Sequence, residues 1–491
     1  MIAVRPGHQV RGGEQRSSGA IFLLALIALA GTTFLFVIGA YSALVYVVIA
    51  ASSLVAFAAP ARWGIATMVA FGGVAGMLKD IAAYETLAHL GNDFVLVSLL
   101  LGHAARSLMR REPLVPDFPF KKTIGFLIVS ATFLTFLPLT RPLVALGGWK
   151  GYVVPALVVP VVYLGLREPN SSRPVVGALV ITGIGNAIAS LVEQGVGPNA
   201  VASWGPGFVH NIASYTFAFD TAGHLVWRPF GLTQGAGDAA IVEVLAATVL
   251  MYMGFGRRPL VQWMVGFAAI LCAIAVLESS VRTAILMLIA GVMGVIVVRG
   301  FHRRQSLAVG LLVVMLVGGS LAFVFQGAPG AVQGRVVGLL DTNTYLNGRG
   351  AVIGLVGNAA FTLPLGLGMG RATPGSEVLA SLAGVQNEAL STENALLVMI
   401  FELGWAGIIF IGLLAWQLGG VVKQYLLNVA RDREGGLAAV IVLVLMLAGL
   451  SGPILVAQPE NLYVWIFGTL AYMRLSAGAP ELDETPEPAL A

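Results

Sequence analysis

Apolar runs separated by short polar turns fill most of this chain, and a helix needs about 20 apolar residues to cross the hydrocarbon of a bilayer. The runs predict spans at 19–39, 41–59, 64–78, 93–106, 123–140, 151–166, 175–193, 238–255, 260–277, 283–299, 306–325, 393–418, 437–456 and 461–475, about fourteen in all. The short runs at 64–78 and 93–106 reach across only where their helices continue into polar flanks. The predicted fold is therefore all-α, a polytopic transmembrane helical bundle with a large, partly helical outer loop. Its divisions are a tail at 1–18, helices over 19–193, a long loop at 194–237, central helices over 238–325, a second long loop at 326–392, C-terminal helices over 393–475 and a tail at 476–491. The basic start from Met1 to Ser18 leads into an apolar run without a small-residue cleavage pattern, which reads as a first anchor. The acidic, Pro-rich end of the chain predicts a disordered tail.

Composition agrees with this pattern and excludes a water-soluble domain: 57% of residues are hydrophobic, only 11% are charged, and the mean hydropathy is +0.88. The 61 glycines suit close helix contacts in lipid, where apolar burial does not drive association. A single cysteine, Cys272, inside an apolar run rules out a disulfide framework and a Cys-based metal site.

Lys and Arg set the orientation, because short cytoplasmic loops retain positive charge. With the N-terminus inside, the outward cations are Lys79, Arg141, Lys150, Arg228, Arg282, Arg335, Arg349 and Arg371, and the remaining twenty of 28 fall inside. The C-terminus is then also cytoplasmic. The net charge of +4 reflects this topology and gives no reason to expect a nucleic-acid partner. Both long loops lie outside and carry four of the eight outward cations, which predicts the chemistry on that face.

Three stretches there carry candidate chemistry. In the second loop, Arg335, Arg349 and Arg371 accompany Pro364-Leu-Gly366-Leu-Gly368-Met-Gly370. Alternate glycines let a backbone approach a ligand and Arg offers a planar fork for phosphate oxygens, or the glycines merely turn a loop beside solvated arginines. Ser279, Ser280 and Arg282 stand where one span ends and the next begins, as an anion site at a helix N-terminus or as a turn with a snorkelling Arg. The first loop holds Trp204, His210, Asn211, Tyr215, Phe217, Phe219, His224, Trp227 and Arg228, aromatics that either stack on sugar rings or anchor the interface. Finally, Glu393 and Asn394 open an apolar helix just after the second loop. A carboxylate there is a general base or a dipole-stabilised residue capped by Thr392. Glu402, nine positions on, is about half a turn out of phase and does not pair with it.

The order of these stretches resembles the bacterial superfamily of O-antigen ligases and O-antigen polymerases, integral membrane glycosyltransferases. Asn394, Gly404 and Gly407 match the ligase spacing, with Glu393 where ligases carry His. Upstream, Ser280-Val-Arg282, Arg349, Pro364-Leu-Gly366-Leu-Gly368 and Arg228-Pro-Phe-Gly231-Leu-Thr233 are similar to family stretches in the same order, although Gln234-Gly-Ala-Gly-Asp238 replaces the usual Asn-Pro-Asn. The likeness covers roughly residues 225 to 410. It implies a bacterial inner-membrane enzyme acting at the periplasmic face on a glycan carried by undecaprenyl pyrophosphate. It further implies a growing polysaccharide chain as the other substrate, a chain-length regulator or export machinery as partner, and surrounding membrane lipids. In that reading Arg282 and Arg228 hold the pyrophosphate with Arg349, Arg371 and Arg335 assisting, Ser280 lies beside them, Glu393 takes the acceptor proton and Asn394 orients it. Transfer is inverting and needs no metal or other cofactor. Glu in the ligase His position favours a polymerase of O-antigen or exopolysaccharide over a ligase, with a protein oligosaccharyltransferase as a third member of the class. A lipid-linked glycan flippase or secondary transporter is the alternative from another class.

Overall fold

The computed structural model describes residues 40–219, 225–254, 259–300, 351–373, 376, 394–427, 432–449 and 452–476. The spans expected at 19–39 and 306–325, the 1–18 tail and Arg335, Arg349, Glu393 and His224 lie outside them, as do residues 477–491 of the C-terminal tail.

Helices dominate. In chain order they begin with α1 (Tyr41–Ala58), α2 (Ala61–Gly72), α3 (Ala75–Ile81), α4 (Thr86–His89), α5 (Gly91–Arg110), α6 (Lys121–Phe136), α7 (Pro142–Ala156) and α8 (Val158–Gly165). Next come α9 (Arg173–Val196), α10 (Pro198–Ala202), α11 (Pro206–Tyr215) and an antiparallel ribbon of β1 (Phe217–Phe219) with β2 (Leu225–Trp227), in which Ala218 faces Val226. The remainder are α12 (Ala236–Gly254), α13 (Pro259–Glu278), α14 (Arg282–Gly300), α15 (Ala351–Thr362), α16 (Ala395–Leu403), α17 (Trp405–Leu427), α18 (Arg433–Gly449) and α19 (Glu460–Ser476). Among the described residues seven helices are long and apolar enough to cross a membrane, or eight if the bent pair α2–α3 is one span.

Burial sorts these helices into centre and rim. α12 packs against α9, α13 and α14 and buries 72% of its apolar window, whereas α1 buries 17% and α13 28%. What the rim exposes is apolar: Leu260, Trp263, Met264 and Phe267 on α13, Phe133 and Phe136 on α6, and Trp416 on α17. Such a surface is intolerable in water and natural in lipid.

Side-chain contacts sort the helix ends into two sets. At a basic end, Arg474 pairs with Glu434 at 2.5 Å and reaches the carbonyl of Glu168, Arg299 lies over the Tyr252 ring, Tyr252 donates to the Arg433 carbonyl, and Arg106 closes the carbonyls of Phe57 and Ala59. The opposite ends gather at a loop end, where the Met77 amide donates to the Leu232 carbonyl and that of Ala395 to Gly452. Successive long helices alternate between the two ends, as crossing helices must.

Three expected spans are altered by local backbone chemistry. The span at 64–78 is bent by 53° between α2 and α3. That at 151–166 starts earlier, at Pro142, because Pro at the first turn needs no amide partner. The span at 393–418 divides at Gly404, whose φ of 58° ends α16, and a Cβ there would overlap the Pro364 carbonyl.

The bend is filled rather than empty. A Cβ on Gly76 would overlap the backbone of Thr233 and Gln234. Gly76→Ala is therefore expected to cost about 1–3 kcal/mol by overpacking, while Gly177→Ala, whose Cβ meets nothing within 4 Å, is neutral or mildly stabilising. Thermal unfolding of both variants in detergent checks the contrast.

A polar recess as the candidate functional site

The bend between α2 and α3 frees backbone groups that lipid cannot satisfy, and the segment after β2 supplies their partners. One face of α9 carries Thr182, Asn186, Ser190 and Glu193, spaced by helical turns. Asn186 donates to the Gly73 carbonyl at 2.9 Å and accepts from the Leu232 amide at 2.9 Å, so one side chain ties the bend to the inserted loop. Glu193 accepts the amides of Phe230 and Gly231 at 2.8 and 3.0 Å, and Ser190 donates to Glu243 on α12 at 2.8 Å. Gly231, with φ of 60°, makes the turn that passes close to Asn186 and Ser190. Above it, Phe208, Phe230, Val201 and Ile212 form a small separate core, edged by Trp227. Phe208, Phe230 and Trp227 are therefore packing residues, and Trp204 remains half exposed.

Beside this loop, polar side chains from six segments converge. Lys79 on α3 donates to Gln234 at 2.9 Å, and its charged neighbours are Asp238 on α12, Asp93 on α5, Asp80 and Lys150 on α7. Lys150 pairs with Asp93 at 2.6 Å, and the Gln458 amide stands 3.5 Å from the other Asp93 oxygen. Asp93 and Lys150 keep 16% and 30% of their side-chain surface accessible, and Lys79, Gln234, Asp238 and Gln458 are half-buried. The six thus line an accessible recess at the loop end. Glu460, the first residue of α19, is buried against Asp238, and the two carboxyl groups hydrogen-bond to each other. On the rim, Asn211 of α11 donates to Asp80 at 2.9 Å. Burial together with the neighbouring Lys79, His210 and Lys150 lowers the His89 pKa to about 4, so this imidazole is neutral near pH 7. Glu85 is held below the usual carboxylate range by the hydroxyls of Tyr46 and Ser42.

The described candidates from the sequence all stand at this same end. Arg228 closes the ribbon through its amide, which donates to the Thr216 carbonyl. Arg282 opens α14, half-buried, and its Nε has no partner among the described residues. Ser280 lies in the turn before it with φ of 52°, and the Ser279 hydroxyl donates to the Val276 carbonyl and accepts from the Val281 amide at 3.4 Å. Arg371 is half-buried and makes no hydrogen bond or ion pair with a described residue. Asn394 is itself the cap of α16: its side-chain oxygen accepts from the amides of Leu396 and Leu397, which displaces Thr392 from that role and commits this oxygen to the helix rather than to a base or a sugar.

The glycine-rich segment is a structural loop. Gly366, Gly368 and Gly370 have φ of 74°, 100° and 83°, and what approaches them is the protein's own chain: the backbone of Glu402, Leu139 and the Val144 carbonyl. Their phosphate-cradle reading is thereby replaced. Glu402 pins the segment, accepting the amides of Ala372 and Thr373 at 2.6 Å each and the Thr373 hydroxyl at 2.5 Å. The Trp405 amide holds the Pro364 carbonyl at 3.0 Å. Gly407 lets α17 pass the Met399 carbonyl. The Asn394, Gly404 and Gly407 spacing therefore has a mechanical content, namely cap, break and close return.

Lys79, Asp80, Asp93, Lys150, Asp238 and Glu460 were not singled out by motif. The signal was present all the same, since ionisable residues within or beside apolar runs are costly in lipid and mark functional positions. What defines this chain is a polytopic helical membrane protein with a polar recess at its loop end. Compared with family models, curated proteins and solved structures, it matches none.

Glu402 generates a test of the loop. Glu402→Ala leaves two amides and a hydroxyl without their acceptor and is expected to cost about 2–5 kcal/mol, with faster proteolysis within 364–373. Glu402→Gln keeps an acceptor for the amides and retains most of the stability. Limited proteolysis with thermal unfolding separates the two.

Proposed function

We propose that this chain is an inner-membrane glycosyltransferase that polymerises lipid-linked repeat units, of O-antigen or exopolysaccharide, at the periplasmic face. In this reading it has about fourteen spans, both termini are cytoplasmic, and the loop end faces the periplasm. The observation that carries it is the pair Arg282 and Arg371: two half-buried guanidinium groups at the loop end with no carboxylate partner among the described residues. An unpaired, partly desolvated arginine is costly unless an anion completes it, and a pyrophosphate is such an anion.

The chemistry follows. The acceptor hydroxyl loses its proton to Glu393, which the chain places directly before the α16 cap Asn394. The hydroxyl oxygen attacks the anomeric carbon as the bond to the pyrophosphate oxygen breaks on the opposite face. Arg282, Arg371 and Arg228, with Arg349 and Arg335 from the same outer loops, take up the charge that grows on the leaving group, where electrostatic stabilisation is largest. No metal is required in this scheme. The lipid-borne glycan and the growing chain are its two substrates, and a chain-length regulator or export assembly is its partner.

A second reading, a lipid-linked glycan flippase or secondary transporter, is favoured by one observation. Two helices are broken, at Gly73 and at Gly404, and ionisable groups sit within the bundle beside the first break.

Purified protein given lipid-linked repeat units is expected to lengthen the glycan. Arg282→Ala, Arg371→Ala and Glu393→Gln are each expected to lower that rate by about 100-fold or more with the fold intact. Full activity in all three variants rejects the site, transfer to a lipid A core makes the protein a ligase, and translocation in vesicles without new glycosidic bonds makes it a transporter.

A further inference from the structure

We infer that the recess lined by Lys79, Asp93, Lys150, Gln234, Asp238 and Gln458 is a binding site for a hydroxyl-rich glycan, separate from the arginines that take the pyrophosphate. The inference rests on the glycosyl-transfer reading and assigns the sugar a place within it. Three observations carry it.

The first is charge. Four carboxyl groups, Asp80, Asp93, Asp238 and Glu460, surround two ammonium groups, Lys79 and Lys150, and the neighbouring His89 is neutral. Both ammonium groups already have carboxylate neighbours, so a pyrophosphate entering this recess would find no excess of positive charge, whereas a sugar needs none. Arg282 and Arg371 have the opposite character, cations without carboxylates among the described residues.

The second is the alternation of hydrogen-bonding types. Ammonium and amide donors of Lys79, Lys150 and Gln458 stand among the carboxylate acceptors Asp93 and Asp238 and the amide oxygen of Gln234. A hydroxyl both donates and accepts, so a ring of hydroxyls satisfies a mixed set that a pure anion or a pure cation cannot.

The third is a pair of orphaned acceptors beside the recess. Asn461 and Asn92, both at least 95% buried, each have a side-chain oxygen without a donor among the described residues. Buried acceptors without donors are rare, and they call for hydroxyl hydrogens. Asn461 reaches the Gly151 carbonyl beside Lys150, and Asn92 precedes Asp93 on α5.

Binding measurements on the full-length protein in detergent separate the two sites. The probes are the repeat-unit oligosaccharide, released by mild acid from lipid-linked material of the source membranes, and a glycan-free polyprenyl pyrophosphate. Gln458→Ala, Gln234→Ala and Asp238→Asn are expected to weaken oligosaccharide binding at least tenfold and to leave the pyrophosphate within twofold. Arg282→Ala is expected to do the reverse. Unchanged oligosaccharide binding in all three recess variants overturns the inference, and so does a parallel loss of both ligands in variants whose thermal unfolding matches the parent. Should one recess variant fail to fold, the other two carry the comparison. If the parent protein lengthens glycans but the recess variants bind oligosaccharide normally, the inference falls and the glycosyl-transfer reading stands. If it lengthens none while the recess variants still lose oligosaccharide selectively, the site stands and the reading falls.

Discussion

Backbone that leaves a helix inside a membrane must find hydrogen bonds within the protein, and this demand organises the loop end of the bundle. The bend between α2 and α3 frees the Gly73 carbonyl and the Met77 amide. Asn186 takes the first and the Leu232 carbonyl the second. Because the inserted segment 228–235 has unpaired amides of its own, Glu193 must accept two of them, and the same face of α9 carries both Asn186 and Glu193. Satisfying the bend therefore brings a segment from the first long loop into the bundle, and that segment carries Gln234 to Lys79 and leads into Asp238.

A second break follows the same logic with different parts. Gly404 separates α16 from α17, the glycine-rich segment fills the gap, and Glu402 accepts its amides. In both places a carboxylate buried within the bundle is matched to a pair of backbone donors, a pairing that offsets much of the cost of desolvating it. The consequence is positional. Each filled break holds a polar segment rigidly at the loop end, one beside the recess and the other beside Arg371.

Much of the architecture was legible from the pattern of apolar runs, because a helix in lipid needs length and hydrophobicity more than it needs specific partners. The alternation of ends and the gathering of Lys79, Lys150, Arg228, Arg282 and Arg371 at one of them both follow from that pattern together with the distribution of Lys and Arg. The glycines were visible too, but their meaning was not. Gly366, Gly368 and Gly370 read equally as a ligand cradle or as a turn until the backbone of Glu402, Leu139 and Val144 was found against them. Asn394 likewise read as a site residue, whereas its oxygen closes the first turn of α16.

Sequence alone determined that this is a polytopic membrane protein, and it determined which residues reach the loop end, since span lengths and charge bias are local properties that periodicity records. Tertiary structure alone decided the recess. Lys79 meets Gln234 across 155 positions, Asp93 meets Lys150 across 57 and Gln458 across 365. No local pattern encodes such separations, because each depends on how the helices stack and on which loop fills which break.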